Sequence, residues 1–181
     1  MPAPSSEAPA GEVLVTVGTS LDPFDRLLRL VDELCAEGGP LFGLPVFAQR
    51  GACRYEPRRY ETTPFLPAPA LEARIRAARL VICHGGAGTI GTCLALGKRP
   101  VVVPRRAAQR EIVNDHQLEL CRRMAAQGRI YLAEEDGALG SAVAAALRDA
   151  AAAPAPGAGD QASPDGAAPG AGDDRPRGGD R

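Results

Sequence analysis

The first informative feature of this 181-residue chain is what it lacks. A net charge of −1 creates no overall field that would attract nucleic acid. No apolar run approaches the roughly 20 residues that a membrane-spanning helix needs. The first residues are neither basic nor apolar, so we expect no secretory signal. With only two histidines and no C-x-x-C pair, the sequence also argues against a zinc site.

Cysteine usage indicates the compartment. The chain has five cysteines without the paired spacing of a disulfide framework. Cys83, Cys93 and Cys121 fall on predicted apolar faces, where a free thiol packs as a small hydrophobic group. We therefore expect a reduced, cytoplasmic protein.

Residues 79–91 combine an apolar run with a glycine-rich turn. Residues 80–83 show no polar alternation, which predicts a parallel strand buried on both faces. The turn 84–88 follows, and from Thr89 apolar residues recur at helical spacing until Gly97. Glycines let a backbone approach a phosphate, and the free N–H groups of a helix start point at it. The stretch therefore predicts a site for a phosphorylated ligand.

The remaining chain alternates strands with helices. Strands are predicted at 12–17, 45–49, 60–63, 100–104 and 130–132, and helices at 22–34, 71–78, 113–124 and 138–149. Asp22 or Asp25 is the expected cap of the first helix, and Val113 is expected on the apolar stripe of the helix at 113–124. This alternation predicts an α/β fold with a Rossmann-like parallel sheet and helices on both faces. Ligands of such sheets bind at the carboxyl ends of strands, where Gly18 and the loop at His84 both lie.

Composition divides the chain into one domain and two tails. Residues 1–11 are rich in Pro, Ala and Ser, and 21 of the 31 residues from Ala151 onward are Gly, Pro or Ala. Such segments bury too little apolar surface to offset the entropy of ordering. We expect residues 1–11 and 150–181 to be disordered and residues 12–149 to form a single domain.

The glycine motif admits other interpretations. Residues 86–91 satisfy G-x-G-x-x-G, and Glu111 follows 20 residues later, as in dinucleotide-binding proteins. Such a motif normally follows the first strand, and its acid ends the next strand, whereas Glu111 lies in a predicted loop. Arg105 or Arg106 would suit a 2′-phosphate, so an NADP-binding module remains an alternative. Tight strand–helix packing without a ligand is another. Arg99 stands where a P-loop requires Ser or Thr, which excludes that motif.

Three polar features near this turn each have two interpretations. His84 either forms a hydrogen bond within its own turn or has a functional role. In the second case it donates a hydrogen bond to a phosphate oxygen or acts as an acid–base group. Asn114 and Gln117 either form a capping box or, with His116, bring polar groups to ligand hydroxyls. Arg105 is either solvated or meets a diphosphate or lipid phosphate.

Five motifs in order resemble a known family. They are VTVGT at 15–19, PFDRL at 23–27, HGGAGT at 84–89, LGKRPVVVP at 96–104 and NDHQ at 114–117. Their combination is similar to small one-domain glycosyltransferases that match the carboxyl-terminal half of family 28 enzymes of the GT-B fold. These include the catalytic subunit of a two-chain UDP-N-acetylglucosamine transferase and bacterial exopolysaccharide enzymes, and the bacterial type looks closer. The resemblance covers about residues 12–135.

The resemblance implies roles for individual residues. The loop 84–89 would hold the donor diphosphate, with His84 as the catalytic candidate in contact with phosphate. His116 and Gln117 would meet sugar hydroxyls, and Gly18 and Thr19 would line the cleft. Relatives usually carry a ribose-binding Glu where Thr92 stands, and Thr92 offers only a hydroxyl. The complete set of implied substrate-binding residues is Gly18, Thr19, Gly85, Gly86, Ala87, Gly88, Thr89, Thr92, Arg105, Asn114, His116 and Gln117.

The resemblance also implies an activity. It is an inverting hexosyl transfer from a UDP-sugar to a lipid-linked acceptor in polysaccharide or glycan synthesis. We expect no cofactor and, since no D-x-D-like motif is present, no metal. Because the chain corresponds to half of a GT-B enzyme, a membrane-anchored partner would supply the acceptor site and hold the chain at the cytoplasmic face of the membrane. That partner is also a candidate source of the general base. The alternatives are a non-catalytic nucleotide-sugar-binding regulatory subunit and the NADP-binding module.

Overall fold

A computed structural model describes residues 11–113 and 116–152 of the chain. Its six strands form one sheet, and every neighbouring pair is parallel. The strands are β1 Val13–Thr16, β2 Val46–Gln49, β3 Glu61–Thr63, β4 Leu80–His84, β5 Val101–Val103 and β6 Tyr131–Leu132. The predicted Rossmann-like α/β fold is confirmed.

Helices connect the strands. They are α1 Asp25–Leu34, α2 Ala68–Ala77, α3 Ala87–Ala95, α4 His116–Ala126 and α5 Leu139–Ala152, with short 3-10 turns at Ala107–Gln109 and Asp136–Ala138. Helix α3 begins two residues earlier than the spacing from Thr89 suggested, because Gly86 is extended and the helix starts directly after it. The predictions for residues 1–10, for Asn114 and for residues 153–181 lie outside the described residues.

The predictions for the starts of two helices, α1 and α4, were wrong. Neither Asp22 nor Asp25 caps α1, whose N-cap is Phe24. The Asp25 carboxylate instead accepts hydrogen bonds from the backbone N–H groups of Arg54 and Tyr55 at 2.8 and 3.0 Å. Val113 was expected on the buried stripe of α4, but it precedes the helix and is 91% exposed.

Each face of the sheet carries its own core. Val13 and Val15 of β1 point to one side, where the apolar stripe of α1 and the buried residues of α5 cover them. Leu14 points to the other side, into a second cluster with residues of α2, α3 and α4. The period of two along β1 thus divides the helices into two layers, as the doubly covered strands predicted.

The strand order β3-β2-β1-β4-β5-β6 reverses direction at the centre. After β1 the chain moves outward to β2 and β3, and after returning at β4 it moves the other way. The loops that leave the carboxyl ends of β1 and β4 therefore diverge and open a crevice between them. Among the described residues, no helix has the length and apolar character needed to cross a bilayer.

Candidate functional site

The crevice at the centre of the sheet gathers several of the residues predicted from the sequence. Gly18 and Thr19 follow β1, and His84 ends β4. Gly85 and Gly86 lead from there into α3, whose first three residues are Ala87, Gly88 and Thr89. The carboxyl ends of β1 and β4 are adjacent because Thr16 pairs with Cys83 across the two strands. One contiguous edge thus carries both loops.

The His84 ring is packed between two glycines. A Cβ atom on Gly18 would lie 2.4 Å from His84 Cε1, and one on Gly86 would lie 2.2 Å from His84 Nε2. Both distances are shorter than real Cβ contacts, so neither position admits a side chain while the ring stays in place. Gly18 also has a φ of +81°, which side chains rarely adopt. The two glycines therefore fix the place of the imidazole.

The environment of His84 keeps the ring neutral. Burial lowers the pKa of His84 to about 4, and the positive charge of Arg105 acts in the same direction. The Thr16 backbone opposes this shift only in part. At neutral pH the imidazole is uncharged, so it offers one N–H donor and one acceptor nitrogen.

The amino terminus of α3 is open. Gly86 is its N-cap, no side chain among the described residues caps it, and its first turn contains no acid. The first N–H groups of a helix have no intrahelical partner and carry a partial positive charge. A Cβ atom at Gly88 would meet nothing within 4 Å, so free space adjoins this end. Open N–H groups beside free space suit an anion such as a phosphate.

The Thr92 hydroxyl is already engaged. Its Oγ1 donates to the Gly88 carbonyl oxygen at 3.0 Å, one turn back in α3. In this state the hydroxyl hydrogen is not available to a ligand.

Gln117 approaches the glycine loop from α4. A Cβ atom on Gly85 would lie 3.5 Å from Gln117 Oε1 and 3.0 Å from Cys121 Sγ, so both side chains face this glycine. Gln117 Oε1 is buried and accepts no hydrogen bond from the described residues. His116 is the first residue of α4, but its side chain and Asn114 lie outside the described part of the chain.

Arg105 is buried, not solvated, which rules out the surface interpretation. Its guanidinium donates to four backbone carbonyl oxygens, those of Val17 at 3.0 Å, Asp22 at 2.9 Å, Pro23 at 3.4 Å and Glu111 at 3.1 Å. Its two terminal nitrogens thus bind the protein's own backbone.

Glu111 is also engaged within the protein. Its carboxylate accepts hydrogen bonds from Arg26 Nε and Nη2 at 2.9 and 2.8 Å and from the Arg106 backbone N–H at 3.0 Å. An acid held in this way does not serve as the ribose ligand of a dinucleotide site. The observation removes the main argument for the NADP-binding alternative.

Sequence reasoning missed two features at this edge. The first is the set of ionic contacts formed by Arg26, Glu111 and Asp136, for which no local pattern gives a signal. The second is a cleft of about 230 Å³ at the ends of β5 and β6, lined by Pro104, Arg106, Ala108, Leu118, Glu134 and Glu135. Across the described ranges, no three His, Cys, Asp or Glu side chains are grouped to hold a metal ion.

Comparisons with solved structures agree with this architecture. A glycosyltransferase for kitacinnamycin superimposes with a TM-score of 0.52 at 20% identity, over 81% of this chain and 41% of that one. SnogD from Streptomyces nogalater gives a TM-score of 0.51 at 18% identity, over 80% of this chain and 40% of SnogD. MurG of Acinetobacter baumannii gives a TM-score of 0.51 at 18% identity, over 78% of this chain and 46% of MurG. The chain thus has the fold of the carboxyl-terminal half of a GT-B enzyme and spans less than half the length of these proteins.

The family assignment comes from the sequence match. A search of curated proteins found no match. The model of the glycosyltransferase family 28 C-terminal domain matches residues 13–156, which is most of the chain and includes every residue of the crevice. The chain therefore belongs to glycosyltransferase family 28.

Proposed function

We propose that the chain is the donor-binding half of a UDP-sugar-dependent hexosyltransferase. The observation that carries the proposal is the open amino terminus of α3, with free space at Gly88 and the neutral His84 ring beside it. In a family 28 domain, this arrangement suits a donor diphosphate. We expect the reaction to need neither a metal nor a cofactor.

The proposed chemistry follows from where charge develops. In an inverting transfer, an acceptor hydroxyl gives its proton to a general base, which we propose the partner supplies, and attacks the anomeric carbon. The bond to the diphosphate breaks at the same time, and negative charge grows on the departing UDP. N–H groups fixed at a helix start stabilise that charge without having to reorganise. A neutral His84 adds one hydrogen-bond donor there. His116 and Gln117 are proposed to bind the sugar hydroxyls, and Thr19 and Gly18 to line the cleft.

The acceptor is proposed to be lipid-linked and to be bound by a membrane-anchored partner. The chain spans about two fifths of the first solved structure above. Exposed apolar side chains support a partner on the carboxyl edge of the sheet, since Leu21 is 89% exposed and Val113 is 91% exposed. Both lie on segments that leave strand ends beside the crevice. The partner would place the protein at the cytoplasmic face of the membrane.

Calorimetric titration with UDP, UDP-sugars, ADP and NADPH tests this proposal. We expect UDP and one UDP-sugar to bind and to raise the melting temperature, and ADP to bind more weakly. A chain that binds none of the uridine nucleotides contradicts the proposal. Tighter binding of NADPH than of UDP would instead support the dinucleotide alternative.

The engaged Thr92 hydroxyl favours one second candidate, a non-catalytic nucleotide-sugar-binding subunit. Turnover by the chain reconstituted with its partner separates the two functions. Transfer of sugar to the acceptor supports the hexosyltransferase, and binding of the UDP-sugar without transfer supports the regulatory subunit.

A further inference from the structure

Arg105 joins two segments that are distant in the sequence. Its guanidinium donates hydrogen bonds to three carbonyl oxygens of the segment after β1, those of Val17, Asp22 and Pro23, at 3.0, 2.9 and 3.4 Å. It also donates a hydrogen bond to the Glu111 carbonyl oxygen, within its own segment, at 3.1 Å. The side chain is buried, so water does not replace these bonds at low cost.

A second set of bonds pins the same segment to α1. Arg26 donates to both Glu111 carboxylate oxygens and, through Nη2, to the Pro104 carbonyl oxygen at 2.8 Å. Arg26 also pairs with Asp136 at 2.7 Å. Residues 104–111 are therefore held at both ends, and they lead toward the start of α4, where Gln117 lies.

The Phe24 ring supports both guanidinium groups. The Arg105 Cζ atom lies 4.7 Å from the ring centroid and the Arg26 Cζ atom 5.1 Å from it. Phe24 is fully buried at the start of α1. Stacking on a rigid aromatic ring restricts the orientation of each guanidinium and thus of the carbonyls that it binds.

We propose that Arg105 is a positioning residue for donor binding. By tying the segment 17–23 to the segment 104–111, it holds Gly18 against the His84 ring and sets the approach of Gln117 to the glycine loop. This inference rests on the proposed function and assigns Arg105 to the support of the site rather than to contact with the diphosphate.

The charge of Arg105 provides a further readout, because it acts on the pKa of His84. The groups that face His84 are the Thr16 backbone from β1, the glycines on either side of the ring, and the Arg105 guanidinium from the end of β5. Among the described residues, Arg105 is the one charged group that shifts the His84 pKa, and it lowers it. Removing this charge should therefore raise the pH at which His84 titrates.

The test compares Arg105→Lys and Arg105→Met with Arg74→Lys. Lysine keeps the charge but not the planar fork that bridges two segments, and methionine removes both. Arg74 is an equally buried arginine that pairs with Glu12 at 2.7 Å, away from the crevice. It therefore controls for a general loss of stability.

Three measurements apply to each variant. Calorimetry gives the affinity for UDP, and hydrogen exchange reports on the backbone of 17–23 and 104–111. NMR titration of the imidazole protons gives the pKa of His84, since the chain has only two histidines and a His116→Gln variant assigns them.

We expect Arg105→Lys to weaken UDP binding about tenfold or more and to raise exchange in both segments together. Arg74→Lys should lose stability without either effect. His84 should titrate at a higher pH in Arg105→Met and at an unchanged pH in Arg74→Lys.

Wild-type UDP affinity in Arg105→Lys would overturn the proposal. So would weakened binding with both segments still protected, because that result indicates direct contact with the diphosphate. If the wild-type chain itself does not bind UDP, the proposed function fails. The exchange and NMR measurements then still decide whether Arg105 holds the two segments and the His84 environment.

Discussion

The His84 ring occupies the space that a side chain on Gly18 would need, since a Cβ atom there would lie 2.4 Å from His84 Cε1. Gly18 is therefore restricted by both its backbone angle and its neighbour. The two restrictions can be separated by mutation, because Gly97 shares the positive φ but has nothing within 4 Å of its Cβ position.

Gly18→Ala should cost more stability than Gly97→Ala. Both variants bear the left-handed backbone penalty of about 1–2 kcal/mol. Only Gly18→Ala must also displace His84, so it should lose roughly 1–3 kcal/mol more and bind UDP more weakly. Urea denaturation and calorimetry measure the two effects. Equal stability losses in the two variants would show that the ring moves aside freely.

Gly86→Ala and Gly88→Ala should differ in their effect on the fold. A Cβ atom on Gly86 would lie 2.2 Å from His84 Nε2, so this variant should lose both stability and UDP affinity. Alanine at Gly88 meets no neighbour and favours the helix by roughly 0.5–1 kcal/mol. We expect Gly88→Ala to keep or raise the melting temperature while its Cβ atom obstructs the diphosphate. Unchanged UDP affinity in Gly88→Ala would place the diphosphate elsewhere.

The stability of the fold should fall as pH decreases from about 6.5 to 4. His84 has a folded pKa of about 4, below its unfolded value near 6.5, so the unfolded chain binds the extra proton across this window. The stabilisation is complete above the unfolded pKa and is lost as the pH falls toward the folded one. It amounts to about 3 kcal/mol at most. Denaturation curves of wild type and His84→Gln should converge in this range, and parallel pH profiles would refute the assignment.

Thr92→Glu tests recognition of the ribose. Because the Thr92 hydroxyl donates to the Gly88 carbonyl oxygen, Thr92→Ala should bind UDP nearly as well as wild type. A carboxylate at this position should accept hydrogen bonds from the ribose hydroxyls and raise the preference for UDP over 2′,3′-dideoxy-UDP by about five- to tenfold. Calorimetry with the two nucleotides provides the comparison. An unchanged preference in Thr92→Glu would show that the ribose binds away from this turn of α3.

Val113→Glu should weaken binding to the partner and leave the stability of the fold unchanged. Val113 is almost fully exposed, so the substitution should leave the melting temperature and UDP affinity within error. A carboxylate buried in an apolar interface is costly, so co-purification with the membrane-anchored partner should decrease markedly. Glu119→Gln, exposed on α4, serves as the control. Retained partner binding in Val113→Glu would exclude Val113 from the interface.

The predictions that succeeded rest on short-range patterns. The apolar run of β4, its glycine turn and α3 follow one another in the chain, so their sequence alone predicted a strand, a turn and a helix. The alternation of such units then predicted the parallel sheet, because few other arrangements bury strands of this kind.

The features that escaped prediction depend on long-range contacts. Arg105 binds the Val17 carbonyl oxygen across 88 residues and Glu111 pairs with Arg26 across 85, and neither leaves a periodic signal. The prediction for Val113 was wrong for a different reason, because a local pattern was present but misleading. Val113 matches the helical spacing of α4 but lies before the helix, where its side chain is exposed.

The central position of β1 has a consequence for folding during synthesis. Val13 pairs with Val46 on one side and with Leu80 on the other, so the second partner is made long after the first. Between the emergence of β2 and that of β4, β1 has one edge with unpaired backbone groups on a strand whose first three residues are apolar. Such edges recruit other chains, and contacts between distant residues form slowly. The interval before residues 80–84 emerge is therefore the one in which this chain is most exposed to aggregation and most in need of a chaperone.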